Sequence, residues 1–546
     1  MLGVRLEENS ALDPVFRISS PFAMKRLRLS TIASSVALQI FFTFFVIYSI
    51  TASGGFEVID GEARYETAKS WLAGNGGALP PGQELRGVPG LHGHHYAFYG
   101  PLQSILMTPL VALTRTARGN SDQLFKFLFA VIVTPLVSAL SLAILFRALR
   151  TLRFGDREAF LTVALLGLAT PLWHYGRSGQ EENIIGLAFA LYLWGMGQLF
   201  LERFNGLKLI ALAASLIFST RWSYVPALII LLSPVVLLLW QRRADWRHWW
   251  RSLAISSAFG SAVVAAVLAY NTYRFGRPFE SGYGIYFRVY PGPPFFTFND
   301  APNHLIALVL SPYRGLLWFC PTLLLLFGLK NVPKSSSTAR LSKATLGAWI
   351  FTWFFIASFS FWNGGPAWAP RYLVALIVLL APAFASVFAS GQRWRAVIAF
   401  SLVVQFCSTL LPSASEDAVY DSLNSEHPGA CTPWVCGCSA LCLRGPWALR
   451  AIANTISSRA LPVIELTPSA KVPGGISTLQ TSDFNSVYWW PVRAAYRAHK
   501  LDPALAFAAS LSVLCAAFGA LWFCYRRLPE PESSPGPGAT PASAIL

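Results

Sequence analysis

TIASSVALQIFFTFFVIYSI, residues Thr31–Ile50, is a run of 20 residues without one charged side chain. A helix needs about 20 apolar residues to cross the hydrocarbon core of a bilayer. Because no small-residue cleavage site follows the run, it is interpreted as a retained membrane anchor rather than a secretory signal. Eleven more apolar runs lie along the chain: Leu124–Phe146, Ala159–Trp173, Ile184–Phe204, Leu207–Thr220, Ser223–Trp240, Leu253–Tyr270, Leu308–Leu329, Ala344–Phe361, Tyr372–Phe388, Ala396–Leu411 and Pro503–Tyr525.

The composition predicts an all-α polytopic membrane protein with about 12 transmembrane helices. Of its 546 residues, 54% are hydrophobic and only 13% are charged, whereas soluble domains carry about 25% charged residues. Such a chain cannot cover a water-facing surface, so a soluble enzyme is excluded. The net charge of +17 is interpreted as membrane topology and not as nucleic-acid binding, because Lys and Arg recur between the apolar runs.

The distribution of Lys and Arg predicts the orientation of the helices. With the N-terminus inside, every inner connection is basic, as the positive-inside rule requires. We therefore expect a multi-pass protein of a bacterial inner membrane with both termini cytoplasmic. The predicted organisation is a cytoplasmic segment 1–29, a transmembrane core 30–411 that includes a first outer loop 51–123, an outer segment 412–502, a last helix 503–525 and a disordered cytoplasmic tail 526–546.

The first outer loop places acids directly after the first apolar run. Glu57, Asp60, Glu62 and Glu66 are expected at the outer membrane surface, where a carboxylate can deprotonate an acceptor hydroxyl. The alternative is that these acids only solvate an interfacial helix. Apolar residues recur at near-helical spacing from 63 to 72, which predicts a short interfacial helix there and a second one from 100 to about 113.

Several stretches at the outer ends of the predicted helices resemble the GT-C membrane glycosyltransferases, and most closely the bacterial relatives of dolichyl-phosphate-mannose–protein mannosyltransferases. The resemblance covers roughly residues 31–388, about two-thirds of the chain. Its strength lies in the order and placement of the stretches, which are DGEARYETA (60–68), YAFYGPLQSILMTP (96–109), GLATPLWHYGRSGQEE (167–182), RFGRPFESGYG (274–284), SPYRGLLWFCP (311–321) and FWNGGPAWAPRYL (361–373).

The resemblance implies an enzyme that moves a sugar from a polyprenyl-phosphate donor to an acceptor on the outer face, with inversion. It implies an acid of the first outer loop as the base, which by position is Asp60, with Glu62 as the second candidate. The acceptor stays open between a lipid, a glycan and a protein. Membrane lipids are further expected partners, and nucleic acid is not.

The leaving group of such a donor is a lipid phosphate, so a cation at the outer face should stabilise it. Arg371, Arg314 and Arg221 are the candidates, because an Arg fork matches phosphate oxygens and stays charged. The alternative for each is an Arg that only caps a helix or snorkels. Candidates to line the substrate cavity are Tyr65, Tyr99, Arg177, Glu181, Glu182 and Trp362. Helix-dipole stabilisation of the adjacent acids and an aromatic belt are the alternatives for this last set.

The HGHH cluster (His92, His94, His95) is dense enough to bind a divalent metal, but no acid stands at ligand spacing beside it. No metal and no other cofactor is therefore expected to be required.

Four cysteines lie in the pattern C-x4-C-x-C-x3-C, at Cys431, Cys436, Cys438 and Cys442. In a segment expected outside the cytoplasm, two disulfides in any of three connectivities are favoured over zinc.

A secondary transporter with twelve helices is the competing function, and a non-catalytic membrane scaffold is the third. Transporters often show repeated halves and polar helices near the midplane. This sequence shows no internal repeat, and its charges lie at the outer ends of the runs, which favours surface chemistry.

Overall fold

The computed structural model describes residues 21–82, 86–117, 119–290, 292, 294–331, 337–365, 367–390, 394–412, 432–436, 439–458, 486–498 and 501–529. Most of these residues are helical, and very few form strands. In chain order the helices are α1 Pro21–Thr51, α2 Ile59–Leu72, α3 Leu102–Thr114, α4 Ser121–Leu128, α5 Thr134–Thr151, α6 Asp156–Leu168, α7 Leu172–Tyr175, α8 Glu182–Phe200, α9 Gly206–Thr220, α10 Val225–Gln241, α11 Trp246–Phe275, α12 Tyr283–Val289, α13 Ala301–Leu310, α14 Leu316–Phe319, α15 Ser337–Ala357, α16 Arg371–Val374, α17 Ala381–Ala389, α18 Arg395–Thr409, α19 Ala440–Ile456, α20 Trp490–Ala498 and α21 Pro503–Arg527.

Tighter or wider turns connect several of these helices. A π-helical turn at Phe129–Val133 joins α4 to α5. The 3₁₀ turns Trp222–Tyr224 and Arg243–Asp245 lead directly into α10 and α11, and Ala375–Leu380 joins α16 to α17. The only sheet in the described residues is a two-residue antiparallel pair, β1 Val88–Pro89 with β2 His95–Tyr96.

Within the described ranges, six helices are long and apolar enough to cross a membrane, and they coincide with six of the predicted runs. They are Ser121–Thr151, Glu182–Phe200, Trp222–Gln241, Arg243–Phe275, Arg371–Ala389 and Pro503–Arg527. These helices confirm the all-α polytopic fold class. Shorter apolar helices cover most of the other runs, at Ser35–Thr51, Gly206–Thr220, Ala301–Leu310, Pro321–Lys330, Leu341–Ala357 and Arg395–Thr409.

The prediction of one continuous helix over Leu308–Leu329 is wrong. The chain forms α13, α14 and a 3₁₀ helix Pro321–Asn331 instead. Helix α13 ends at Leu310, and the next residue, Ser311, is extended with φ −68° and ψ 141° because it precedes Pro312. The run Ala159–Trp173 is likewise divided into α6 and α7 around Pro171. Prolines thus interrupt two runs that hydrophobicity alone marks as continuous.

The bundle brings together the ends of several helices. Helix α5 packs against α1 and α8, and α8 packs against α9. Large side chains such as Phe44, Phe146 and Phe189 are fully buried among these helices. The C-terminal ends of α1 and α9 therefore lie with the N-terminal ends of α8 and α16 on one side of the bundle, where the charged residues are found.

Both helices predicted in the first loop are confirmed, as α2 and α3, but α2 is not a solvated surface helix. Eight of its 14 residues are buried, among them Glu62 and Arg64. Its small residues Gly61, Ala63 and Ala68 let it pack closely against the protein. The acids of this loop are consequently held inside the protein, which contradicts the alternative that they only solvate a helix.

Candidate active site

Six charged side chains from well-separated parts of the chain meet beside α2. Asp60 and Arg64 lie one turn apart on the same face of α2. The others stand at helix ends: Glu181 and Glu182 at the start of α8, Arg221 after α9 and Arg371 at the start of α16. We call these three acids and three arginines the charge ring; its formal charge is zero.

The members of the charge ring alternate in sign from one contact to the next. Arg371 Nη2 lies 2.7 Å from Asp60 Oδ2, and Arg371 Nε lies 2.5 Å from Glu182 Oε1. Arg221 Nη1 lies 3.2 Å from the same Glu182 oxygen, and Nη2 of Arg221 pairs with Glu181. Arg64 also pairs with Glu181. Each charge therefore has a partner of opposite sign.

Tyr99 closes the ring between its two ends. Its hydroxyl donates to Asp60 Oδ1 at 2.7 Å, and the guanidinium carbon of Arg64 lies 4.2 Å from the centre of its ring. The phenol thus hydrogen-bonds to an anion and receives a cation on its π face.

Asp60 is the most accessible member of the charge ring. Its side chain is 14% exposed, whereas those of the other five members are between 0% and 6% exposed. Removing so many charges from water costs free energy that ion pairing only partly returns. A buried and fully paired set of charges that opens at one carboxylate is a candidate for chemistry at that carboxylate.

The electrostatics of the site keep Asp60 ionised. Burial alone favours the neutral acid, but the charges of Arg371 and Arg64, with the hydrogen bond from Tyr99, hold the pKa of Asp60 well below its usual range. The carboxylate is therefore a proton acceptor at neutral pH.

Two glycines allow the close approaches that build the site. A Cβ at Gly100, next to Tyr99, would lie 2.4 Å from the carbonyl oxygens of Ser219 and Thr220, directly before Arg221. At Gly364 the backbone has φ +79°, and a Cβ would meet Cβ of Arg371 at 2.9 Å. Neither position has room for a side chain, so the structure requires glycine at both.

The second base candidate, Glu62, lies apart from the charge ring. Two residues after Asp60, it points from another face of α2 and pairs with Lys126 at 2.6 Å. Tyr65, predicted to line the cavity, donates to Asp122 at 2.6 Å and stacks on Phe125 with ring centres 4.3 Å apart. Both residues join α2 to α4.

Arg177 belongs to a second buried ion pair. It lies 2.8 Å from Glu57 Oε1 and donates to the carbonyl oxygens of Thr51, Ser408 and Leu411. This pair ties the end of α1 to the end of α18, and Arg177 is not a member of the charge ring.

Arg314 and Trp362 shape the segment that leads to Arg371. Arg314 donates to the carbonyl oxygens of Ala367 and, at 3.1 Å, of Gly365. Trp362 is nearly buried and stacks on the ring of His304, with centres 5.0 Å apart and planes at 22°. Both residues thus contact protein on the approach to α16.

Buried polar atoms near the charge ring lack partners within the described ranges. They include both amide atoms of Gln180, the hydroxyl of Ser178 and Oε1 of Gln103. Gln103 reaches the same loop through its Nε2, which donates to the carbonyl oxygen of Gly179 at 2.9 Å. Each such atom costs roughly 1–3 kcal/mol unless a ligand or water meets it, so this loop is suited to a polar ligand.

His92 and His94 are exposed on the turn between β1 and β2, and His95 is the first residue of β2. Among the residues with described positions, no group of three or more His, Cys, Asp or Glu is arranged to hold a metal ion. Independence from metal remains a prediction.

The segment before α21 packs against the beginning of the first loop. The backbone N–H of Trp490 donates to Ala52 at 2.7 Å, and Arg493 donates to Ser53 at 2.5 Å. Cys436 and Cys442 form a disulfide, with Cα atoms 5.7 Å apart. Cys431 and Cys438 lie outside the described residues, as do residues 413–430, 459–485 and the tail from 530.

Arg64 is the member of the charge ring that the sequence analysis missed. The sequence contains the pattern that identifies Arg64: if the predicted helix 63–72 is extended by one turn at its N-terminus, Asp60 and Arg64 lie on the same face. Tyr99 was predicted to line the substrate cavity; in the structure Arg64 covers one face of its ring.

Comparisons with known proteins add one structural likeness. No protein-family model and no curated protein matches the chain. Among solved structures, the crystal structure of ArnT from Cupriavidus metallidurans in the apo state is similar with a TM-score of 0.45 and 12% identity, over 92% of this chain and 76% of that chain. The helices and the charge ring themselves define the class: an all-α polytopic membrane protein with a buried ionic site where its helices end.

Proposed function

We propose that this protein is a GT-C-type membrane glycosyltransferase that moves a sugar from a polyprenyl-phosphate donor to an acceptor hydroxyl at the outer face of the membrane. The observation that carries the proposal is the position of Asp60, an ionised carboxylate at the accessible edge of the charge ring and 2.7 Å from Arg371. The resemblance of the surrounding sequence stretches to GT-C enzymes supports it.

In the proposed reaction, Asp60 accepts the proton of the acceptor hydroxyl while the hydroxyl oxygen attacks the anomeric carbon. The bond from that carbon to the phosphate oxygen breaks, and its electron pair leaves with the polyprenyl phosphate. Attack from the side opposite the phosphate inverts the anomeric centre. The charge that develops on the phosphate is of the kind that a positioned guanidinium stabilises.

Arg371 is the proposed phosphate ligand, because its guanidinium is adjacent to the base and stays charged. Arg221 is the second, since it shares Glu182 with Arg371. Arg314 donates to backbone carbonyls, so we assign it to holding the segment before α16. The unpartnered atoms of Gln180 and Ser178 are suited to the sugar hydroxyls.

The test is transfer from a panel of radiolabelled polyprenyl-phosphate sugars to a native lipid extract by the purified protein in detergent. Asp60→Asn should lower the transfer rate by about 10²–10⁴-fold, the usual contribution of a general base. Glu66→Gln, which removes a carboxylate on α2 that pairs with Lys69 instead, is the matched control and should keep the wild-type rate.

Other outcomes would redirect the proposal. Transfer that survives Asp60→Asn would move the base to Glu62. Absence of transfer with every donor, together with solute uptake into proteoliposomes, would make the protein a transporter. Absence of both activities would leave a scaffold.

A further inference from the structure

Both oxygens of the Asp60 carboxylate are occupied in the structure. Oδ1 accepts from the hydroxyl of Tyr99 at 2.7 Å, and Oδ2 lies 2.7 Å from Nη2 of Arg371. A general base must offer an oxygen to the proton that it accepts. Each carboxylate oxygen has two lone pairs, so both can still accept a proton. The two contacts nevertheless weaken Asp60 as a base, and the base becomes stronger if one partner withdraws.

Arg371 is the partner that can be drawn away. Its Nε is held by Glu182 at 2.5 Å, so the side chain stays anchored while Nη2 changes partner. A phosphate oxygen competes well for this nitrogen, because guanidinium and phosphate groups match in geometry and charge. The proposed donor carries the group that can take Arg371 from Asp60.

Tyr99 cannot move in the same way. Arg64 covers one face of its ring at 4.2 Å, and the ring of Phe98 lies 4.6 Å away. Its backbone oxygen accepts from Arg274, and the glycine that follows it has no free space around its Cα. Burial raises the pKa of the Tyr99 hydroxyl well above its usual value, so the hydroxyl keeps its proton and remains a donor.

From this geometry we infer that Tyr99 is a positioning residue that holds Oδ1 of Asp60, while the donor phosphate takes Arg371 from Oδ2 and leaves Oδ2 to accept the proton of the acceptor. The inference rests on the proposed function. It makes binding of the donor the event that strengthens the base, so an acceptor hydroxyl or a water is deprotonated less readily before the donor is in place.

The exchange also changes the basicity of Asp60. The groups that act on Asp60 are the cations Arg371, Arg64 and Arg221 and the phenol of Tyr99; the phenols of Tyr283 and Tyr372 lie nearby. When Arg371 pairs with the donor phosphate, the negative charge of the phosphate offsets the strongest of the charges that lower the pKa of Asp60. The pKa therefore rises when the donor binds, and the carboxylate becomes a stronger base.

The test uses the full-length protein and the polyprenyl-phosphate sugar that gives the fastest wild-type transfer. Tyr99→Phe should lower kcat about tenfold or more with KM for the donor changed less than about twofold, because a misplaced base costs rate and not binding. Tyr286→Phe is the matched control, since it also removes a hydroxyl from a ring packed on Phe98, and it should behave as wild type.

A second readout needs no variant. In the wild type, kcat/KM reports the free enzyme and kcat reports the complex, so the acid limb of kcat should lie at higher pH than that of kcat/KM. Coincident limbs would overturn the exchange, and a Tyr99→Phe protein with wild-type kcat would overturn the positioning role. If either of these results is found while transfer still depends on Asp60, the proposed function stands and only this inference fails. If no donor supports transfer, the inference and the proposed function both fail.

Discussion

Removal of one charge from the middle of the charge ring should destabilise the protein far more than the same change at the surface. Glu182 is fully buried and contacts Arg371 at 2.5 Å and Arg221 at 3.2 Å. Two unit charges 3 Å apart attract by roughly 5–6 kcal/mol at an effective dielectric constant of about 20. Part of that attraction offsets the cost of burial, and loss of one partner of a buried pair typically costs about 3–5 kcal/mol. Glu182→Gln should therefore lower the free energy of unfolding by about 3–5 kcal/mol.

The matched control is Glu202→Gln. Glu202 also lies 2.5 Å from an arginine, Arg242, but these two side chains are 54% and 38% exposed. Exposed pairs contribute about 0–1 kcal/mol. The two variants therefore differ mainly in burial, which isolates the effect of the environment.

The assay is SDS titration of the purified protein in mixed micelles, followed by the fluorescence of its 19 tryptophans. Adding Arg221→Gln to Glu182→Gln leaves two acids and two arginines in the ring, and should recover about 0.5–3 kcal/mol through coupling of the two sites. The reasoning is refuted if Glu182→Gln costs no more than Glu202→Gln, or if the second substitution only adds to the loss.

Three further predictions follow from the structure. The stability that Asp60 contributes, measured as the difference from Asp60→Asn, should be constant from pH 8 to about pH 5, because Asp60 is ionised in both the folded and the unfolded protein above its unfolded-state pKa of about 4. This contribution should decline as the pH falls below 4 toward the lowered folded-state pKa, and a decline already complete at pH 5 would contradict the prediction. Gln180→Leu should leave the melting temperature unchanged or higher, since an unpartnered amide is replaced by an apolar group, yet raise KM for the donor; an unchanged KM would remove Gln180 from the site. Peptide mapping without reduction should recover Cys436 and Cys442 in one disulfide-linked species, whereas a different pairing would show that the connectivity is wrong.

Much of the helical framework is predictable from local features. The run Pro503–Tyr525 becomes α21, and Tyr372–Phe388 lies within the helix Arg371–Ala389, because long apolar segments must satisfy their backbone hydrogen bonds internally. The run Leu308–Leu329 shows the limit of hydropathy, since Pro312 interrupts it. That break was readable from the residue order, because a residue before proline disfavours the helix.

The partners of the charged residues were not predictable in the same way. Position in the sequence ranks Asp60 above Glu62, but it does not show which groups either acid contacts. The helical periodicity of α2 separates them: Asp60 reaches Arg371, and Glu62 reaches Lys126. The sequence analysis named both acids and ranked Asp60 first by resemblance, and the geometry shows that only Asp60 belongs to the charge ring.

By itself the sequence determined the membrane character of the protein, the location of most helices and the concentration of acids and arginines at helix ends. These properties depend on the hydrophobicity of each segment and on nearby prolines and glycines. Only the tertiary structure decided which charges meet, because Arg371 and Glu182 lie 189 residues apart, and Arg64 and Glu181 lie 117 apart. Ion pairing acts over a few ångströms, so it is set by how α2, α8, α9 and α16 pack and not by any local pattern.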